Sequence, residues 1–128
     1  MVKNKDNFFK GMFLVASIYD LVLGAIFFLF YRAVFSYFNI PLPNYPMYLQ
    51  MSAAFVFAMG VGYYFVYKNL HRNIDLVKLG IVYKLVYASL AIYFYLTDLA
   101  HLVFFLFAIC DVIFLIFFFR FLRYAKKS

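Results

Sequence analysis

The apolar positions of this chain do not alternate with polar ones in the period of a strand or of a half-buried helix. They run together in four stretches, residues 12–31, 49–67, 76–96 and 99–119, which are 20, 19, 21 and 21 residues long. At about 1.5 Å per helical residue, each is long enough to cross a hydrocarbon layer of roughly 30 Å. Barrel strands would be about ten residues long with strict alternation, so the pattern predicts helices. The expected fold is all-α: an integral membrane four-helix bundle, up-down-up-down, forming a single four-span domain over residues 1–128.

Polar and turn-forming residues punctuate the runs. The first loop, "YFNIPLPNYPMYLQ", holds Pro41, Pro43 and Pro46, which favour extended backbone and end a helix. Tyr37, Tyr45 and Tyr48 suit a membrane interface, and Gln50 at the outer start of span two is a candidate to close the outer mouth or to cap a helix. The third loop, "TDLAH", is so short that spans three and four must form an antiparallel hairpin. Within span two, Ala54, Ala58 and Gly62 recur every four residues on one face. Lipid supplies no hydrophobic drive between helices, so this strip is expected to be a packing face toward the bundle or a partner subunit.

Composition removes a soluble reading: 69% of residues are hydrophobic, 26% aromatic and only 13% charged. The net charge of +7 raises nucleic-acid binding, but the positions of the charges argue against it. Lys3, Lys5 and Lys10 precede span one, Lys68, Arg72 and Lys78 flank the middle loop, and Arg120, Arg123, Lys126 and Lys127 follow span four. Ten of the 12 basic residues thus fall on one side of a four-span threading, leaving Arg32 near the other side and Lys84 inside. The positive-inside rule places both termini in the cytoplasm. Membrane lipids are the expected partners, with a homodimer or larger membrane complex allowed, and nucleic acid is not expected. Span one is too long for a cleavable signal core, and "YRAVFSYF" offers no small-x-small cleavage site, so it is expected to remain.

Three ionisable residues interrupt the runs at one depth. Lys84 lies eight residues after Leu76, Asp20 eight after Met12, and Asp111 eight before Phe119, each about 12 Å from the same membrane face. Small residues share their faces: Ala16, Ser17 and Gly24 around Asp20, Gly80 and Ala88 around Lys84, and Ala108 beside Asp111. A charge near a helix centre costs about 2.5–3.5 kcal/mol, while each Leu, Ile, Val or Phe returns about 0.3–0.6. The eleven such residues of span three therefore carry Lys84 into the membrane, and pairing then secures it. Two carboxylates facing one ammonium would leave a net negative layer, which retains a proton or attracts a cationic or donor-rich ligand. Tyr19, Tyr83 and Tyr87 lie near that layer and can hydrogen-bond a ligand or pack. The plain alternative is a structural ion pair that selects which helices associate.

Other chemistry is sparse. Cys110 is the single cysteine, so an internal disulfide is excluded. His71 and His101 fall at opposite ends of the threading and cannot share a metal or haem. No nucleotide loop, zinc spacing or nucleophilic triad is present, so no catalytic residue, cofactor or metal is expected. The leading expectation is a non-enzymatic membrane protein that binds a lipid-like or small polar ligand, or a partner subunit, at the Asp20, Lys84 and Asp111 layer. The alternatives are a proton-coupled small-molecule transporter and an accessory subunit of a quinone-linked redox complex.

The order of "SIYDLVLGAIFFLF", "IPLPNYPMYLQMSAAFVFAMGVGYY", "HRNIDLVKLGIVYK" and an aspartate-bearing last helix resembles the small DoxX-like four-helix membrane proteins of bacteria. The resemblance covers almost the whole chain, and "LPNYP", Gln50, "GVGYY" and "GIVYK" are its most specific pieces. It implies a four-helix fold in the bacterial inner membrane. It also implies a link to quinone-associated redox complexes, through some relatives, and a wider kinship with sterol-binding four-helix proteins.

Overall fold

The computed structural model describes residues 2–127, with side chains over 5–126. The side chains of Lys3 and Lys127, counted in the charge argument, lie outside the described residues. The described residues are all-helical and contain no strand: α1 (Val2–Leu29), α2 (Tyr31–Tyr37), α3 (Pro46–Lys68), α4 (Ile74–Leu96) and α5 (Leu102–Lys127). Four of these helices, α1, α3, α4 and α5, are long and apolar enough to cross a membrane. Only 22 to 39% of their apolar windows is buried, so most of that surface faces outward. Water-soluble monomers do not display apolar surface on this scale, and a multi-pass membrane protein accounts for it.

The helices outrun the apolar stretches that predict them. α1 begins in the charged N-terminal segment, and α5 continues through Arg120 and Arg123, because a helix end is set by backbone hydrogen bonding and not by hydrocarbon thickness. α3 starts three residues early, at Pro46, a position where the missing N–H of proline costs nothing. Span one ends sooner than its apolar run. Phe30 leaves helical geometry (φ −124°, ψ 26°) and a separate short helix, α2, follows.

The chain forms two compact units, residues 1–68 and 69–128. In the first, α1 packs on α3. Contacts pair Ser17 and Leu21 with Gly60, Gly24 with Ala53 and Phe57, and Phe28 with Gln50, so the two helices are antiparallel. Their backbones nearly touch. A Cβ on Gly24 would stand 2.7 Å from both the Ala53 carbonyl oxygen and the Phe57 nitrogen, and one on Gly60 would stand 2.8 Å from the Leu21 nitrogen. The Ser17 hydroxyl donates to the Gly60 carbonyl at 2.8 Å across this contact. Small residues plus interhelical hydrogen bonds are the means by which helices associate in lipid.

That contact is not made through the expected strip. Ala54 and Ala58 are exposed, and a Cβ on Gly62 would meet nothing within 4 Å. The face toward α1 is instead Ala53 and Gly60, seven residues apart, with Tyr63 and Val66 buried beyond them. At about 100° per residue Ala58 and Gly62 lie roughly opposite this face, while Ala54 stands at its edge. In a helix apolar all round, spacing of small residues alone does not say which of two such rows meets a neighbour.

In the second unit α4 packs on α5 as the expected hairpin. α4 buries Val77, Gly80, Ile81, Lys84, Ala88 and Ala91, a row repeating every three or four residues. Ala88 and Ala91 meet Ala108 of α5 in a layer of small side chains flanked by Tyr87 and Ile92. The connection is closed by Asp98 in the left-handed region (φ 62°), with the Leu99 N–H donating to the Phe94 carbonyl at 2.8 Å and the Asp98 N–H to Tyr95 at 3.1 Å. This is a Schellman ending. The end of α2 repeats it at Asn39 (φ 56°), where the Ile40 N–H donates to Phe35 at 2.8 Å. Across the hairpin turn, His101 Nδ1 accepts the Val103 N–H at 3.1 Å and caps α5.

Candidate functional site

Lys84 sits on the buried row of α4, one turn before Ala88, and Asp111 sits one turn beyond Ala108 on α5. The alanine layer lets the two helices approach closely enough for an ammonium and a carboxylate to meet. Lys84 Nζ donates to Asp111 Oδ1 at 2.9 Å. The Lys84 side chain is 0% exposed and that of Asp111 is 8% exposed, so the amine is enclosed while the acid side chain is slightly more accessible.

Aromatic faces also lie against the ammonium. Lys84 Nζ lies 4.9 Å from the Phe114 ring centroid and 5.9 Å from that of Tyr83. Both are within cation–π range, and the contact is stronger where water is excluded. Phe114 was not singled out in the sequence. It lies one turn past Asp111 on the same face of α5, and that spacing is the signal that would have found it.

The other candidate residues are distributed as follows. Tyr87 lies one turn from Lys84, and its hydroxyl donates to the Phe104 carbonyl at 3.3 Å, tying α4 to the α5 backbone. Asp20 belongs to the first unit, 2% exposed on α1, one turn beyond Ser17. Tyr19, beside it, lines an open apolar depression of about 310 Å³ with Ile18, Val22, Leu23 and Ile26. The Gln50 amide donates to the Phe28 carbonyl at 3.2 Å. The break at Phe30 takes that carbonyl out of the helical ladder, so Gln50 acts as a cap for the end of α1. Ala54 opens on a shallow apolar groove of about 260 Å³ with Gly24, Ala25, Phe28, Leu29 and Phe57. Ala58 and Gly62 line neither of these.

An ammonium bonded to a carboxylate between two apolar helices is expensive to desolvate, and it holds only while both partners stay in place. Such a pair can join two helices. The slightly accessible Asp111 side chain can also serve as a hydrogen-bond acceptor. Among the described residues, no group of three or more His, Cys, Asp or Glu side chains is arranged to hold a metal ion. No family model, no curated protein and no solved structure matches this chain.

Proposed function

We propose that the chain is a non-enzymatic multi-pass protein of the bacterial inner membrane, with a DoxX-like four-helix fold. Its four spans thread in alternating directions with both termini in the cytoplasm, and the Lys84–Asp111 pair is a binding centre. The charge asymmetry of the loops supports the orientation. Intramembrane ionisable residues that face protein interior mark ligand and ion sites in membrane proteins. One observation carries the reading: within an apolar hairpin, a fully enclosed ammonium is bonded at 2.9 Å to a carboxylate that keeps 8% of its side chain accessible.

That asymmetry narrows the ligand. Lys84 holds Asp111 in place and is itself out of reach, so an incoming group meets the carboxylate and must bring a hydrogen-bond donor. The ligand is a small polar or lipid-like molecule bearing a hydroxyl or an amine, or the equivalent side chain of a partner subunit.

The test uses the purified full chain in a nonionic detergent, titrated with dodecanol, dodecylamine and methyl laurate while thermal stability is followed. The two donor-bearing probes should stabilise the protein saturably and the donor-free ester should not. The variant Lys84→Met/Asp111→Leu, which keeps an apolar pair of similar bulk, should lose the response. Equal responses in the two chains would remove the pair from the site, whereas loss of binding in a parallel Asp20→Asn chain would extend the site to span one. Proton-coupled transport, in contrast, requires pH-dependent uptake into proteoliposomes that Asp111→Asn abolishes. A redox accessory role requires copurification with a cofactor-bearing partner.

A further inference from the structure

We infer that the end of the second unit where the chain enters α4 and leaves α5 is a built binding site for the headgroups of anionic phospholipids. The site is separate from the buried pair and does not depend on it.

The turn before α4 packs on the last turns of α5. The His71 ring lies 6.3 Å from the Phe121 ring and 6.1 Å from the Tyr124 ring, and these two lie 6.4 Å from each other. Phe121 is fully buried and anchors the cluster. In the antiparallel register set by Lys84 opposite Asp111, this contact brings Arg72 level with Arg123 and places Arg120 and Lys78 about one to two turns further along the hairpin. Lys126 continues the row past Tyr124. Arg72, Lys78, Arg120, Arg123 and Lys126 are all exposed. Asp75 is the one acidic residue in either segment, 69–80 or 115–128.

Five exposed cations against one carboxylate create a strong positive field at this end of the hairpin, and no salt bridge neutralises these five among the described residues. Anionic lipid headgroups complement it in charge. Arginine's planar fork also matches the phosphodiester oxygens two at a time. The apolar flanks of α4 and α5, with Leu79, Val82, Ile116 and Phe119 exposed, give the acyl chains of the same molecule a surface to lie along. A free phosphate in water would use the cations but not those flanks, so the occupant is a lipid. The aromatic cluster holds the 69–73 turn, which carries Arg72, to the last turns of α5, which carry Arg123 and Lys126.

The alternative is a diffuse attraction in which any basic end of the chain serves equally. The full chain in a nonionic detergent, titrated with phosphatidylglycerol and with phosphatidylcholine and read by native mass spectrometry, separates the two. Phosphatidylglycerol should bind the wild type in preference to phosphatidylcholine. Removing surface cations costs about fivefold in affinity each, so Arg72→Gln/Arg123→Gln should weaken that binding about 30-fold. The control Lys5→Gln/Lys10→Gln removes the same charge from the first unit and should leave it within about twofold. His71→Ala, which keeps the formal charge but releases the turn, should weaken binding severalfold, and His71→Phe should restore it. Equal losses in the two double variants, or no effect of His71→Ala, would overturn the site in favour of diffuse charge. Absence of any preference for phosphatidylglycerol in the wild type would overturn the inference altogether.

Discussion

Replacing Lys84 by methionine, Asp111 by leucine, and then both, measures what the buried pair contributes. Removing one partner of a buried ion pair costs about 3–5 kcal/mol, because the other charge is left without compensation. The structure orders the two single changes. Lys84→Met leaves a carboxylate whose side chain is 8% exposed and can draw in water, which places it at the lower end of that range. Asp111→Leu leaves an ammonium that is 0% exposed and has lost the carboxylate that lay 2.9 Å away. That single change should be the more damaging. The double change removes both charges and both desolvation penalties, and should fall within about 1 kcal/mol of the wild type or above it. The coupling between the sites should therefore be at least about 5 kcal/mol, well above the roughly 1.7 kcal/mol maximum for ordinary interhelical hydrogen bonds in a membrane protein. Equilibrium unfolding of the four chains in mixed micelles with rising SDS, followed by far-UV circular dichroism, gives the cycle. A coupling near the roughly 0.6 kcal/mol average for membrane hydrogen bonds would refute the reasoning, since the pair would then act as one more polar contact.

Three further outcomes follow from the backbone. Gly24→Ala and Gly60→Ala should each destabilise by about 1–3 kcal/mol or more, because the new methyl meets backbone atoms at 2.7 and 2.8 Å; Gly62→Ala, with nothing within 4 Å, should be neutral or gain up to about 1 kcal/mol of helix propensity in the same unfolding assay. Asp98→Gly and Asn39→Gly should each raise stability by about 0.5–1 kcal/mol, since both positions hold a positive φ that glycine adopts without strain; a loss in either would mean its side chain serves the turn in another way. His101→Ala should cost about 1 kcal/mol through the lost cap of α5, and His101→Asn should recover most of it by presenting an oxygen to the same N–H; equal melting temperatures for Ala and wild type would show the cap to be idle.

The four spans, their number and the hairpin were legible because each rests on a one-dimensional quantity: the length of an apolar run, or of the loop between two runs. The common depth of Lys84 and Asp111 was legible in the same way, by counting residues from each end of the membrane. Faces were harder. The strip Ala54, Ala58 and Gly62 satisfies the small-residue rule as well as Ala53 and Gly60 do, yet Ala58 and Gly62 lie roughly opposite the face that α1 covers. The break at Phe30 has no proline or glycine to announce it, and the caps supplied by Gln50 and His101 reach backbone groups exposed only where a helix has already ended.

The sequence by itself determined that this chain is helical, that four of its segments are long and apolar enough to cross a membrane, and which ionisable residues fall within them. Hydrophobicity and length are properties of a segment, and they act before any two segments meet. Only the tertiary structure decided which row of small residues lets α1 and α3 touch, that Phe114 lies against the ammonium, and that the acid side chain of the pair is slightly accessible while that of the amine is not. In helices apolar on every side, no periodic signal marks the inward face. Fit between backbones at the closest van der Waals separations makes that choice, and such fit exists only once the helices are together.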